Sequence, residues 1–226
     1  MEKLVYLVGK PEAQPIEEFR QRLLGPAAEA LLAGGALALT VNVADLTELP
    51  EAVHISDPDG WLSASVSLWL SSLDDRAPLE EILDGLAARK AGYLVTESVP
   101  RDYTDRDWAD GERSPGVTLV AAFPKPDHID DETFFRQWHG SHTPLSLEIH
   151  PLYRYIRNSV ARALTPGAPA FRAIVEERVR TMREFADPEL FYGSAEGQRL
   201  AHDDLLTFTD FESMHSTVMS EYILQS

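Results

Sequence analysis

The chain has no cysteine. Disulfides, thiolate nucleophiles and cysteine-bound zinc are therefore excluded, and the composition fits a cytoplasmic protein. Positive charge is scarce: 20 Lys and Arg stand against 37 Asp and Glu, giving a net charge of −17. No local Lys/Arg cluster reverses that field, so neither nucleic acid nor an anionic membrane is an expected partner. No apolar run approaches the roughly 18 residues of a membrane helix, and the N-terminal MEKLVYLVGK reads as a strand rather than a signal peptide. The glycine-rich phosphate-binding patterns are also missing, which argues against a nucleotide site.

What is present is 226 residues of ordinary globular composition, 44% hydrophobic, enough for one large or two small domains. Strand periodicity marks Lys3 to Gly9, then Ala36 to Val43, Leu62 to Leu70 and Gly92 to Val99. Helical signals cover Ile16 to Leu32, interrupted at Gly25-Pro26, and Pro78 to Lys90. The order β-α-β-β-α-β is that of a ferredoxin-like unit. In the third strand Leu62, Ala64, Val66, Leu68 and Leu70 share one face, and the serines and Trp69 the other; Trp69 is expected to pack between sheet and helix.

The order repeats after a polar, aperiodic segment, Pro100 to Gly116. Val117 to Phe123 is a strand, a helix and strand follow, Phe171 to Val179 is a third strand, Thr181 to Leu200 is broken helix, and Ser216 to Leu224 closes the set. Residues repeat as well: Phe19-Arg20-Gln21 matches Phe135-Arg136-Gln137, and Asn42 matches Asn158, both 116 positions on. Thr96-Glu97 matches Ser220-Glu221 at 124. The reading is an α+β chain of two ferredoxin-like repeats: residues 1–100 as a degenerate, structural repeat, 101–116 as linker, and 117–226 as the repeat with the candidate active site.

Chemistry concentrates in Phe134 to Asn158, FFRQWHGSHTPLSLEIHPLYRYIRN. Its first half has helical spacing, with Asp130 and Asp131 at the start as caps and Pro144 expected to kink or end the helix near Thr143. Trp138 and His142 are four residues apart, and His139 and His142 three apart, so they meet on one face. Tyr153, Tyr155 and Arg157 point one way on the following strand, Arg154, Ile156 and Asn158 the other. A histidine there exchanges protons near neutral pH; the plainer reading is a core tryptophan beside a hydrogen-bonded histidine. At the repeat offset, Trp138, His139, His142, Tyr153 and Tyr155 face Arg22, Leu23, Pro26, Leu37 and Leu39. One half thus carries every candidate group, which a purely structural role does not require.

The run Phe135, Trp138, His142, Pro144, Leu145, Tyr155 and Asn158 resembles the EthD-like family of dimeric α+β barrels, with Val175-Glu176 and Ser220-Glu221 in keeping. The resemblance implies two four-stranded antiparallel sheets facing each other as a barrel, here a dimeric α+β barrel within one chain, with one active site rather than two. Any further assembly is expected to be a homodimer of such pseudo-dimeric chains. Members of the family include cyclases, decarboxylases, lactone isomerases, dehydratases and cofactor-free oxygenases, and others with no demonstrated activity. Several need no metal or organic cofactor, and the histidine matched by His142 is the usual proton donor or acceptor.

The expected function is therefore a cofactor-independent lyase or isomerase acting on a small apolar, aromatic or polyketide-like molecule. His142 is the acid or base, and Trp138, His139, Tyr153, Tyr155, Asn158 and Glu176 contact the substrate, with Asn158 or Tyr153 as an oxyanion donor and Glu176 orienting His142. The alternatives are a non-catalytic binding or accessory protein, a metal site built from His139 and His142 with His150, Asp203 or Asp204, and haem, which more distant barrel relatives carry. His202-Asp203-Asp204 reads as a polar helix end.

Overall fold

The structure, a computed structural model, describes residues 1–46, 48–50 and 56–226. The first half contains β1 (Glu2–Gly9), α1 (Ile16–Arg22), α2 (Ala28–Ala33), β2 (Ala38–Val43), β3 (Ala64–Leu70), α3 (Ala77–Asp84) and β4 (Arg89–Arg101). The second contains β5 (Val117–Phe123), α4 (Asp131–Phe135), α5 (Thr143–Ile149), β6 (Arg154–Ala163), β7 (Ala173–Val179), α6 (Met182–Ala186), α7 (Pro188–Tyr192), α8 (Ala195–Leu205) and β8 (His215–Gln225). All eight strands close into one antiparallel barrel in the order β1-β3-β2-β8-β5-β7-β6-β4. Within each half the order is the same, β4-β1-β3-β2 and β8-β5-β7-β6, and the halves join by β2 against β8 and β4 against β6. Closure leaves these strands no free edge.

Alternation along each strand builds the layers. On β1, Leu4, Tyr6 and Val8 face outward onto a core shared with Phe19, Leu23 and Leu31 of the first helices. Val5 and Leu7 face inward and meet Val120, Ala122, Ile174 and Met219 from the other half. A third core, between the second half's sheet and its helices, is aromatic: Phe123, Phe134, Trp138, Tyr155, Phe191 and Phe208.

Neither helix ends at its expected interruption. Residues Leu23–Ala27 and Arg136–His142 are π-helical turns that take up Gly25-Pro26 and the approach to Pro144, so each helix runs on into α2 or α5. Pro144 sits in the first turn of α5, where its missing N–H is least costly. Asp130 caps α4 as expected, accepting from the Thr133 N–H at 2.8 Å.

The barrel interior is polar where the halves meet. Asn42 Nδ2 donates to Glu176 Oε2 at 3.0 Å, and Asn158 Nδ2 to Glu176 Oε1 at 3.3 Å. Lys3 Nζ lies 2.6 Å from Glu97 and 3.8 Å from Glu176. In register, Asn42 opposes Glu221 and Asn158 opposes Glu97, so the residues that repeat in the sequence face each other across the two seams. Trp69 does not pack between sheet and helix. It alternates with the outward Leu68 and Leu70, and the Lys3 ammonium lies over its ring at 4.8 Å.

Candidate active site

A cavity of about 570 Å³ lies between the outer face of β5, β6 and β7 and the helices of the second half. Leu119, Ala121 and Phe123 alternate outward on β5 to form its floor, with Tyr155 from β6 and Val175 and Glu177 from β7 beside them. Trp138, Phe191, Ala201 and Phe208 close it from above. The walls are mostly apolar and aromatic, which suits a flat molecule.

His142 lies at the end of the π-helical turn, a feature often found at functional sites. Its ring stands 5.1 Å from that of Phe208, and the residue is 7% exposed. Nδ1 is 2.9 Å from Asp204 Oδ2, on the last turn of α8, and Ser141 Oγ donates to Asp204 Oδ1 at 2.5 Å. Helix α8 is set against α7 by Gly197, where a Cβ would meet the Tyr192 carbonyl oxygen at 2.2 Å, and is capped by Ser194, which accepts from the Gly197 N–H. Burial raises the Asp204 carboxyl, but the hydrogen bonds from His142 and Ser141 outweigh it and hold the group below its ordinary value. An ionised Asp204 accepts only, so Nδ1 carries the proton and Nε2 keeps its lone pair. Ser146 Oγ lies 3.2 Å from Nε2.

Ser146, His142 and Asp204 thus follow the chemical order of a nucleophile triad, yet Ser146 is fully buried and does not line the cavity. Its hydroxyl steadies the imidazole and has no route to a substrate. The arrangement suits proton transfer rather than acyl transfer. Beside it, Tyr155 Oη has no hydrogen-bond partner among the described residues. Burial pushes this phenol well above its ordinary range, so it stays a proton donor.

Three expected site residues reach the cavity: His142, Trp138 and Tyr155. Four do not. His139 packs on Trp138, ring centroids 4.5 Å apart, away from the cavity. Tyr153 precedes β6 and stacks with Tyr103 and Trp108 of the 101–116 segment. Asn158 and Glu176 bond to each other inside the barrel, on the opposite side of the sheet, so Glu176 does not orient His142. That role falls to Asp204, which had read as part of a polar helix end. The residues 197, 201 and 204 share one face of a helix, the one signal that could have singled Asp204 out. His150 and Glu177 also line the cavity and were not expected there as substrate contacts.

Among the described residues no three metal-ligating side chains converge, because Asp204 is turned to His142 and His139 away from both. Haem fits the cavity poorly: its described lining has no Lys or Arg to meet two propionate groups and instead presents the Glu177 carboxylate.

No known protein-family profile matches the sequence, and no curated protein matches it significantly. Solved structures do match. An anthrone oxidase-like protein superposes with a TM-score of 0.60 at 10% identity, covering 100% of this chain and 93% of that one. A monooxygenase-like protein from Lactobacillus acidophilus NCFM gives 0.52 at 9%, covering 99% and 94%. A mutant chlorite dismutase from Candidatus Nitrospira defluvii gives 0.53 at 8%, covering 99% and 92%. The chain has the dimeric α+β barrel fold. In this barrel one chain supplies all eight strands, and the neighbours span its whole length rather than one half. They do not single out the EthD-like group. No described helix is long and apolar enough to cross a membrane.

Proposed function

We propose that this barrel is an enzyme for a small, flat, mostly apolar molecule of aromatic or polyketide-like type, working by proton transfer at His142. One observation carries the reading: a His142–Asp204 pair, already hydrogen-bonded at 2.9 Å, stands on the wall of an aromatic cavity of about 570 Å³. The Ser146 hydroxyl, which donates to His142 Nε2 at rest, turns aside, and Nε2 takes a proton from an acidic C–H or O–H of the substrate. From a C–H the electron pair left behind moves onto a neighbouring carbonyl as an enolate or phenolate, from an O–H it stays on that oxygen, and Asp204 holds the imidazolium that results. Tyr155, whose hydroxyl is buried and unpaired at rest, is the donor that a small turn of the ring would bring to the new oxyanion. Returning the proton to another carbon is an isomerisation; delivering it to a departing hydroxyl as water is a lyase reaction. Neither needs a metal or an organic cofactor. The barrel itself is best read as two diverged ferredoxin-like repeats, with residues 1–100 as structural partner and 117–226 bearing the site.

A second reading, cofactor-free oxygenation, shares the first step and differs in what meets the carbanion. The anthrone oxidase-like neighbour favours it.

Anthrone in D₂O tests the proton transfer. The wild-type protein should catalyse deuterium exchange at the acidic methylene, and His142→Asn should lose about 10²- to 10⁴-fold of that rate while still binding anthrone. Asp204→Asn should fall in the same direction. Dioxygen uptake alongside exchange would assign the oxygenase reading. A wild-type rate no faster than buffer, with binding intact, would leave an accessory or sequestering role instead.

A further inference from the structure

The cavity has a second polar pole that the proton transfer does not use. His150, at the C-terminal end of α5, lines the cavity and is 7% exposed. Its Nδ1 lies 3.0 Å from the Phe191 carbonyl oxygen, and its ring stacks on that of Phe191 at 4.2 Å and 26°. A carbonyl oxygen only accepts, so Nδ1 carries the proton and the tautomer is fixed. Nε2 is left with a lone pair and no hydrogen bond among the described residues. Burial also lowers the affinity of this imidazole for a second proton, which keeps that lone pair in place near neutral pH.

Glu177 lines the same cavity from β7, opposite Tyr155 in register. None of the cavity's described lining residues is a Lys or Arg, so no such cation meets its carboxylate there. The two groups are both acceptors, one neutral and one a carboxylate. Such a corner is complementary to an O–H donor and repels an anion.

We infer that His150 and Glu177 form a selectivity corner that takes uncharged hydroxylated ligands, phenols or enols, and rejects carboxylates. The inference rests on the reading of this cavity as the substrate site, and it names the class of substrate. It places the substrate hydroxyl on His150 Nε2, leaving the reacting carbon free to face His142.

Three probes of one shape test it: anthraquinone, 2-hydroxyanthraquinone and anthraquinone-2-carboxylate, titrated against the full chain at pH 6.5 with tryptophan quenching as readout. The hydroxylated probe should bind about tenfold tighter than the parent, as one hydrogen bond to an otherwise unpaired buried acceptor allows, and the carboxylate weaker than both. His150→Asn keeps a donor for the Phe191 carbonyl and removes Nε2; it should erase the hydroxyl preference. His150→Gln, which keeps an acceptor near Nε2, should retain part of it. Glu177→Gln should tighten the carboxylate by roughly tenfold and leave the parent unchanged. Equal binding of parent and hydroxylated probes, tight binding of the carboxylate, a preference that survives in His150→Asn, or no binding of any probe would each overturn the inference. None of these titrations requires turnover. A protein inactive in the anthrone exchange that still shows the preference loses the proposed chemistry and keeps this corner, and an active protein without the preference does the reverse.

Discussion

Removing Glu176 should expose how much of the barrel's stability is held at the meeting of its halves. The residue is 3% exposed and accepts from Asn42 and Asn158, one from each half, with the Lys3 ammonium 3.8 Å away. Glu176→Ala strands two buried amide donors, at about 1–3 kcal/mol each, and leaves Lys3 one carboxylate short. A loss of roughly 4 kcal/mol follows, a large share of the 5–15 kcal/mol typical of folded domains. For a domain of this size it lowers Tm by about 8–16 °C. Glu176→Gln keeps one acceptor oxygen and turns an NH₂ toward the other asparagine, so roughly half the cost, about 2 kcal/mol, is expected. Urea unfolding reads both, with the midpoint moving and the slope unchanged. A double-mutant cycle of Asn42→Ala with Glu176→Ala should give a coupling of about 1.5–3 kcal/mol, the range for a hydrogen bond to a charged group. A cost below about 1 kcal/mol for Glu176→Ala, or additivity in that cycle, would refute the view that this carboxylate clasps the two halves.

Two further outcomes concern the framework. Burial, with help from the Arg157 charge, pushes His139 down to about 4, so the unfolded chain takes up this proton first as pH falls. Stability should therefore decline between about pH 6.5 and about 4, and His139→Phe should flatten that decline in urea midpoints measured across the range; an unchanged slope would show that His139 is not its source. A Cβ on Gly92 would lie 2.4 Å from the Tyr6 ring and 3.2 Å from Thr165, so Gly92→Ala should cost about 1–3 kcal/mol by overpacking in the same assay, and a neutral result would mean that β1 and β4 can part more easily than their register suggests.

The strands were legible because each has one face that must be apolar. Leu4, Tyr6 and Val8, or Val66, Leu68 and Leu70, alternate without a break, and burial follows them. His142, Trp138 and Tyr155 were legible as a group because helical and strand spacing placed them on faces that turned out to oppose one another across the cavity. Phase was harder where a strand offers acids on both sides. In Val175-Glu176-Glu177 nothing local says which carboxylate faces the helices, and a shift of one residue exchanges them. Tyr153 and Tyr155 have strand parity, yet the strand begins at Arg154, so Tyr153 follows the aromatic cap instead. Asp203 and Asp204 are adjacent on one helix, and only the docking of α8 decides that Asp204 meets His142. Trp69 was on the right face by strand parity, but that face is the inner one, where Lys3, its partner in register on β1, covers the ring.

Glu176 and Glu177 are successive residues on β7, one clamped inside the barrel and the other on the cavity wall. Asn42, from the first half, therefore sits one hydrogen bond and one residue of β7 away from the pocket. Drift in residues 1–100 is then constrained by more than keeping the ring of strands closed: losing one amide there loosens the strand whose next side chain lines the cavity. If the proposed site is right, residues 1–100 hold one side of its strand in place, and substitutions near Asn42 should disturb ligand preference before they unfold the protein.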